Sequence, residues 1–162
     1  MTDSTSAEIA VARRDWKTEH LEMYMNSGGA QGHIVDVSDI GGRAFTTTLL
    51  LRYTGRKSGR TIVTPLIYGD IGGEVVIVAS KGGADHHPAW YLNLLETPEI
   101  EFQIATQAFR ATWREADDAE RAKVWDFVTG IFPPYTNYQA STSRQIPLIM
   151  MKPIAPIARF TS

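Results

Sequence analysis

Between Leu50 and Asn93, two strand-like segments each end in a glycine turn that carries cations and hydroxyls. The first turn is Tyr53-Thr54-Gly55-Arg56-Lys57-Ser58-Gly59-Arg60 and the second is Ser80-Lys81-Gly82-Gly83-Ala84. Glycine lets backbone N–H groups approach a ligand, arginine presents a planar fork, and lysine is a movable point charge. Together they suit a phosphate or several carboxylates. Solvated charges on a hairpin tip would explain the first turn alone. Two such turns, the second running through His87-Pro88 into the aromatic stretch Ala89-Trp90-Tyr91, read as an anion grip.

Other constellations carry less chemistry. In Asp85-His86-His87 the adjacent histidines point to opposite faces of an extended chain, and no His-x-x-x-His spacing accompanies them, so no metal is expected. A serine triad of Ser80, His86 and Asp85 has no nucleophile elbow around it. No GxGxxG lies between a strand and a helix and there is no Walker A pattern, which disfavours NAD or ATP on a parallel sheet. A formal net charge of −2 gives no field to recruit nucleic acid, and the aromatics are not interleaved with the cations. No nucleic-acid partner is expected.

These side chains need a scaffold. A chain of 162 residues can bury one core, and residues 1–30 read as a polar leader and helix packing on a barrel domain formed by residues 31–162. The leader helix has Ile9, Ala12, Trp16, His20 and Met23 on one stripe. Docking on the core is preferred over a membrane-surface role because Asp15, Glu19 and Glu22 would repel anionic lipid. With no cysteine, no signal-peptide pattern and no apolar run near the roughly 20 residues that span a bilayer, a cytoplasmic protein is expected. The leader also permits weak contact with the inner membrane face.

Ala44 to Tyr53 and Arg60 to Tyr68 read as antiparallel strands around the first turn. Pro65 cannot donate a ladder hydrogen bond and belongs at an edge or bulge. Gly69 to Gly73 is a hairpin connection, and Glu74 to Ser80 is a strand buried on both faces. Pro88 to Leu95 is a short helix, two strands bracket Thr106-Gln107, and Trp113 closes the second. Asp117 to Phe132 is a helix with its apolar stripe at Ala119, Ala122, Trp125 (or Val124) and Val128, ended by Pro133-Pro134. Tyr135 to Arg144 is a polar loop and Ile146 to Met151 a last strand. Five to seven short strands with few helices and no βαβ alternation predict a mainly β (α+β) fold, an antiparallel sheet curled into a split β-barrel with peripheral helices.

Several ordered motifs resemble the deazaflavin-dependent nitroreductase family of actinobacteria, whose members use coenzyme F420 on a split β-barrel. They are Thr54-Gly55-Arg56-Lys57-Ser58-Gly59, Pro65-Leu66, Val78-Ala79-Ser80-Lys81-Gly82-Gly83-Ala84 and His87-Pro88-Ala89-Trp90-Tyr91-Leu92-Asn93. Phe132-Pro133-Pro134-Tyr135-Thr136-Asn137-Tyr138-Gln139 and Arg144-Gln145-Ile146-Pro147 look like its substrate-side loop and last strand. The resemblance implies that Arg56, Lys57, Ser58, Lys81 and Gly82 hold the cofactor's phosphate or glutamate tail. Thr64, Pro65, Leu66, Ile67, Val78, Ala79 and Ser80 would lie along its ring, with Ala89, Trp90 and Asn93 closing that side and Tyr135 and Tyr138 facing the substrate. The plainer role for Trp90 and Tyr91 is core packing, the more so for Tyr91.

Ile67 and Phe132 depart from the best-known nitroimidazole-reducing member, where both are tyrosines. Losing two phenol donors makes the pocket more apolar and favours quinones or enones over nitroimidazoles. The implied reaction is hydride transfer to an electron-poor carbon, with Tyr135 the first candidate donor to the acceptor's oxygen and Tyr138 or Ser80 sharing the role. Two other classes stay open: an FMN-dependent oxidoreductase on the same barrel, and a noncatalytic binder of a cofactor or apolar ligand. Arg52, Arg56, Lys57, Arg60 and Lys81 could form the cationic track that a polyglutamate tail requires and FMN does not.

Overall fold

The computed structural model describes residues 18–161. Its seven strands are β1 (Ile34–Val35), β2 (Thr46–Thr54), β3 (Thr61–Ile71), β4 (Glu74–Val78), β5 (Glu99–Ile104), β6 (Gln107–Glu115) and β7 (Leu148–Ile157). They pair only antiparallel, in the order β1-β2-β3-β4-β7-β6-β5, and a further β2–β5 ladder closes β2 to β7 into a six-stranded barrel. The helices are α1 (18–26), α2 (Ala89–Leu94), α3 (Asp118–Ile131) and α4 (Pro134–Ala140).

Side-chain alternation explains why the strands carry continuous apolar runs. Val75 and Ile77 of β4 point into the barrel with Leu49, Leu51, Phe102, Ile149 and Met151, and α2 adds Trp90, Tyr91 and Leu94 to that core. Val76 and Val78 point outward and are covered, with Leu148 and Met150, by Val124 and Val128 of α3. Leu50 faces a third cluster with Tyr24 of α1, Ala108 and Phe160. A strand covered on both faces has no polar side to show, as expected for Glu74 to Ser80.

β3 is where the barrel is split. It pairs with β2 from Thr61 to Ile67 but with β4 only from Tyr68 to Ile71, so Thr61 to Ile67 has no strand on its second side among the described residues. Pro65, opposite Leu50, sits in that half-paired stretch, the edge position its missing N–H requires.

Several elements correct the sequence reading. The last strand runs on to Ile157 through Pro153 and Pro156. β7 pairs with β4 only up to Met151, so beyond it one side is an edge among the described residues, where proline's missing N–H is tolerated, and a bulge at Ile154 absorbs the register shift against Arg110 and Ala111. On α3 the buried positions are Val124 and Val128, while Ala119 and Ala122 face solvent. A capping box between Asp117 and Glu120 starts that helix. Ile9, Ala12 and Trp16 of the leader stripe lie outside the described residues. Of the rest, His20 is buried as expected, but Met23 is 44% exposed and its neighbour Tyr24 is buried instead.

Tyr24 fastens α1 to the barrel. Its hydroxyl donates to the Thr48 carbonyl at 2.9 Å and accepts from the Ala105 amide at 2.8 Å, and burial pushes the phenol up to about 12, so it stays protonated. Tyr24→Phe strands two backbone groups in an apolar cluster. We expect it to lower unfolding free energy by about 1–3 kcal/mol, read as an earlier urea midpoint with an unchanged slope.

Candidate functional site

The split beside β3 opens into a cavity of about 530 Å³. Thr64, Pro65, Leu66 and Ile67 form one wall, and the end of β4 with the second glycine turn forms another through Val78, Ser80, Lys81 and Gly82. Trp90 closes the α2 side. Phe132, Tyr135 and Tyr138 form an aromatic wall, with ring centroids 4.9 Å apart for Phe132–Tyr135 and 6.3 Å for Tyr135–Tyr138. Segments far apart in sequence therefore meet as the motif reading requires. Lys81 is the one lysine or arginine among the described residues on these walls, so the space suits a flat, mostly apolar body with one anionic end.

The aromatic wall stands on a helix. Residues 135–144 were expected to form a loop, but α4 spans Pro134–Ala140 with proline in its first turn. The Pro133-Pro134 pair that stops α3 also starts α4, because proline's fixed φ and missing N–H suit a helix start. Tyr135 is buried and its hydroxyl has no hydrogen-bond partner among the described residues. Burial, with a smaller contribution from Tyr138, holds its phenol well above the usual tyrosine range. It stays a protonated donor on the cavity wall.

The second turn is shaped by its neighbours. Lys81 and Gly82 have left-handed φ of 47° and 63°, and the turn is closed by Gly83 N–H donating to the Ser80 carbonyl at 3.0 Å. The backbone N–H groups of Lys81 and Gly82 have no backbone acceptor among the described residues. They are the donors an anion would use. Gly83 is buried under α4, where Ser141 Oγ donates to its carbonyl at 3.1 Å. Lys81 Nζ lies 2.8 Å from His86 Nε2, and His86 Nδ1 lies 3.0 Å from the Asp85 carboxylate. With Asp85 accepting from Nδ1, Nε2 is left to accept from Lys81, so the segment set aside as a metal candidate serves instead as a tether for the lysine. No group of three or more His, Asp or Glu side chains converges as a metal site among the described residues.

The first turn is tied to α2. Asn93 Oδ1 accepts the Arg56 amide at 2.5 Å while its Nδ2 donates to the Ala89 carbonyl at 2.7 Å. Asn93 is thus an anchor between turn and helix rather than a cavity residue. Ser58 Oγ accepts from the Arg60 amide at 3.2 Å, inside the turn. Arg56 is 3.8 Å from Glu96 on the surface, a weak pair, and the Lys57 and Arg60 side chains have no partner among the described residues. Arg56, Lys57 and Ser58 are outside the cavity lining, as are exposed Ala89 and fully buried Ala79. Arg52 is removed from the proposed track. It pairs with Glu101 at 2.8 Å and stacks 4.0 Å over Phe160.

Three groups escaped the sequence reading. Thr18, His20 and Leu21 of α1 line the cavity, and Val35 and Val37 complete its edge. Arg144, noted only as part of a motif, hydrogen-bonds the backbone of the second turn. A single arginine ahead of the buried stretch Ile146 to Met151 was the available signal.

A closed antiparallel barrel with a seam cavity and two cation-bearing turns defines a split-barrel cofactor-binding protein. The sequence model of the F420H(2)-dependent quinone reductase family matches residues 16–153. An F420H(2)-dependent quinone reductase of Mycobacterium tuberculosis (strain ATCC 25618 / H37Rv) is 33% identical over 135 residues, covering 82% of this chain and 86% of that protein. A solved F420-H2 dependent reductase is 35% identical with a TM-score of 0.60, covering 65% of this chain and 93% of that one. Another solved structure, described as a domain-swapped dimer, is 32% identical with a TM-score of 0.62, covering 86% and 99%. The chain belongs to the F420H(2)-dependent quinone reductase family.

It is therefore an enzyme of the F420-dependent class, and coenzyme F420 is the cofactor that its family implies. The site fits that group: the free amides and Lys81 offer an anion a seat, and the apolar walls of the same cavity accept a flat ring. No helix among the described residues is long and apolar enough to cross a membrane.

Proposed function

We propose that the protein transfers a hydride from F420H2 to a quinone, or to an enone of similar polarity, bound between the β3 wall and the three aromatic rings of Phe132, Tyr135 and Tyr138. The cavity that joins Thr64 to Ile67, the Lys81 turn and the two tyrosines carries this reading. Reduced deazaflavin, when bound, supplies the hydride. The protein's part is to hold, orient and protonate.

Lys81, the amides of the second turn and the Arg56-Lys57-Ser58 turn hold the anionic tail. Thr64 to Ile67, Val78, Ser80 and Trp90 bound the ring, leaving Phe132, Tyr135 and Tyr138 for the acceptor. Excluding water from that space and holding the two reactants face to face supplies much of the rate. Tyr135, kept protonated by burial, donates a hydrogen bond to the acceptor's oxygen as negative charge grows there, and Tyr138 or Ser80 is the second donor. Ile67 and Phe132 both line the cavity without a hydroxyl, which supports quinones and enones over nitroimidazoles as acceptors.

Mixing the protein with F420H2 and a panel of quinones, enones and nitroimidazoles, and following cofactor reoxidation, tests the reading. Quinone turnover supports it, and turnover of nitroimidazoles alone would overturn it. Tyr135→Phe is expected to lower turnover of an enone about tenfold to hundredfold while changing the deazaflavin dissociation constant less than twofold. Equal turnover in variant and parent would remove Tyr135 from the mechanism.

A further inference from the structure

We propose that Arg144 is the positioning residue of the anion-holding turn, acting on the cofactor only through the backbone of Ser80 to Ala84. This rests on the reading of that turn as the seat of the cofactor's anionic end. Arg144 lies between α4 and β7 and is not a cavity residue. Its guanidinium nevertheless donates to three carbonyls that bracket the turn: Nε to Ala84 at 2.8 Å, one terminal nitrogen to Ser80 at 2.7 Å, and the other to Ala79 at 3.2 Å.

The geometry sets which way the peptide groups face. A peptide carbonyl and the N–H of the following residue lie in one plane and point in opposite directions. Pulling the Ser80 carbonyl toward Arg144 therefore turns the Lys81 amide away from it, on the side where Lys81 and Gly82 line the cavity. Lys81 sits at a left-handed φ of 47°, unfavourable for a residue with a side chain, so something must hold the turn there. A guanidinium forked across both ends of the turn does so. Only arginine has this reach, because lysine offers a single donor point where three carbonyls must be met.

Arg144 also donates to His87 Nδ1 at 3.0 Å, and the His87 ring packs on Tyr91 with centroids 4.7 Å apart. The same cation thus fixes the chain where it leaves the turn and enters α2, which carries Trp90 into the cavity. The bond requires His87 to be unprotonated at Nδ1. Burial and the Arg144 charge both press it toward the neutral form, while Glu115, bonded to the Tyr91 hydroxyl, opposes them weakly.

Equilibrium binding separates this role from plain stability. The probes are intact F420 and the same deazaflavin lacking its phosphate and glutamate tail, titrated by fluorescence against parent, Arg144→Lys, Arg144→Ala and Lys81→Gln proteins well below their unfolding temperatures. The parent is expected to bind the intact cofactor more tightly. Arg144→Lys, which keeps the charge but loses the fork, should weaken intact F420 about tenfold and the tail-less ring less than twofold. Where Arg144→Ala unfolds, Arg144→Lys decides. Should Lys81→Gln weaken intact F420 while Arg144→Lys binds both probes like the parent, Arg144 has no positioning role. Should Lys81→Gln itself bind intact F420 like the parent, the seat is elsewhere and the reading of the turn fails first.

Discussion

Gly83→Ala is expected to be the most damaging single-methyl change in the molecule's site region, lowering unfolding free energy by about 2–4 kcal/mol. Gly83 has φ of 85°, where an L side chain is strained, and a Cβ there would lie 2.3 Å from Ser141 Oγ and 2.9 Å from both Cα and the carbonyl oxygen of Tyr138. Serine could rotate away, but backbone cannot. The only relief is to push α4 off the turn, and α4 carries Tyr135 and Tyr138. Stability and quinone handling should therefore fall together, with a drop in Tm of roughly 5–15 °C and a raised quinone KM. Gly73→Ala is the control. Its φ is 82°, but a Cβ would meet nothing within 4 Å and the residue lies outside the cavity lining, so it should cost only the left-handed penalty of about 1–2 kcal/mol and leave quinone KM near the parent's. Adding Ser141→Ala to Gly83→Ala should restore little, because the Tyr138 backbone remains. Full recovery in that double variant would mean the serine alone sets the spacing.

What the chain reveals without a structure follows from how local each signal is. β2, β4, α2 and α3 were legible because a period of two or an apolar run, bounded by glycine or proline, is written within a few residues. Pro65 marked the split in the barrel through its own missing N–H. The far end of β7 differs from the sequence reading for the complementary reason: Pro153 and Pro156 look like a stop, and they are tolerable because beyond Met151 β7 keeps β6 on one side but has no strand on the other among the described residues. α4 was hidden by a single residue pair with two meanings, since proline both ends one helix and begins the next.

The site divides the same way. Thr64 to Ile67, Ser80, Lys81, Trp90 and both tyrosines were found from motifs and do share one cavity. Asn93 and Arg144 were seen as motif letters, but their chemistry is long-range, spanning 37 residues from Asn93 to Arg56 and 64 from Arg144 to Ser80. No spacing rule reports a side chain that bonds a distant backbone carbonyl. Arg52 failed in reverse. It sits next to the first turn in sequence, yet strand alternation and the β2–β5 ladder hand it to Glu101.

Neutralising Arg56, Lys57 and Lys81 together, each as glutamine, should raise the dissociation constant for F420H2 by about a hundredfold or more at low salt. The three cations differ in how free they are. Lys81 lines the cavity, and its tether is a histidine nitrogen that costs little to exchange for a phosphate oxygen, so it should give the largest single effect. Lys57 has no competing partner among the described residues, whereas Arg56 must first leave Glu96, an exposed carboxylate 3.8 Å away. All three act on the tail rather than the ring, so the tail-less deazaflavin should bind parent and triple variant alike. Exposed charges are screened within about 10 Å at 0.1 M salt. The parent's affinity should thus fall steeply as salt rises while the variant's stays nearly flat, the two converging at high salt. A triple variant that keeps the parent's affinity and salt slope would show that the two glycine turns are not the seat of the cofactor's anionic tail.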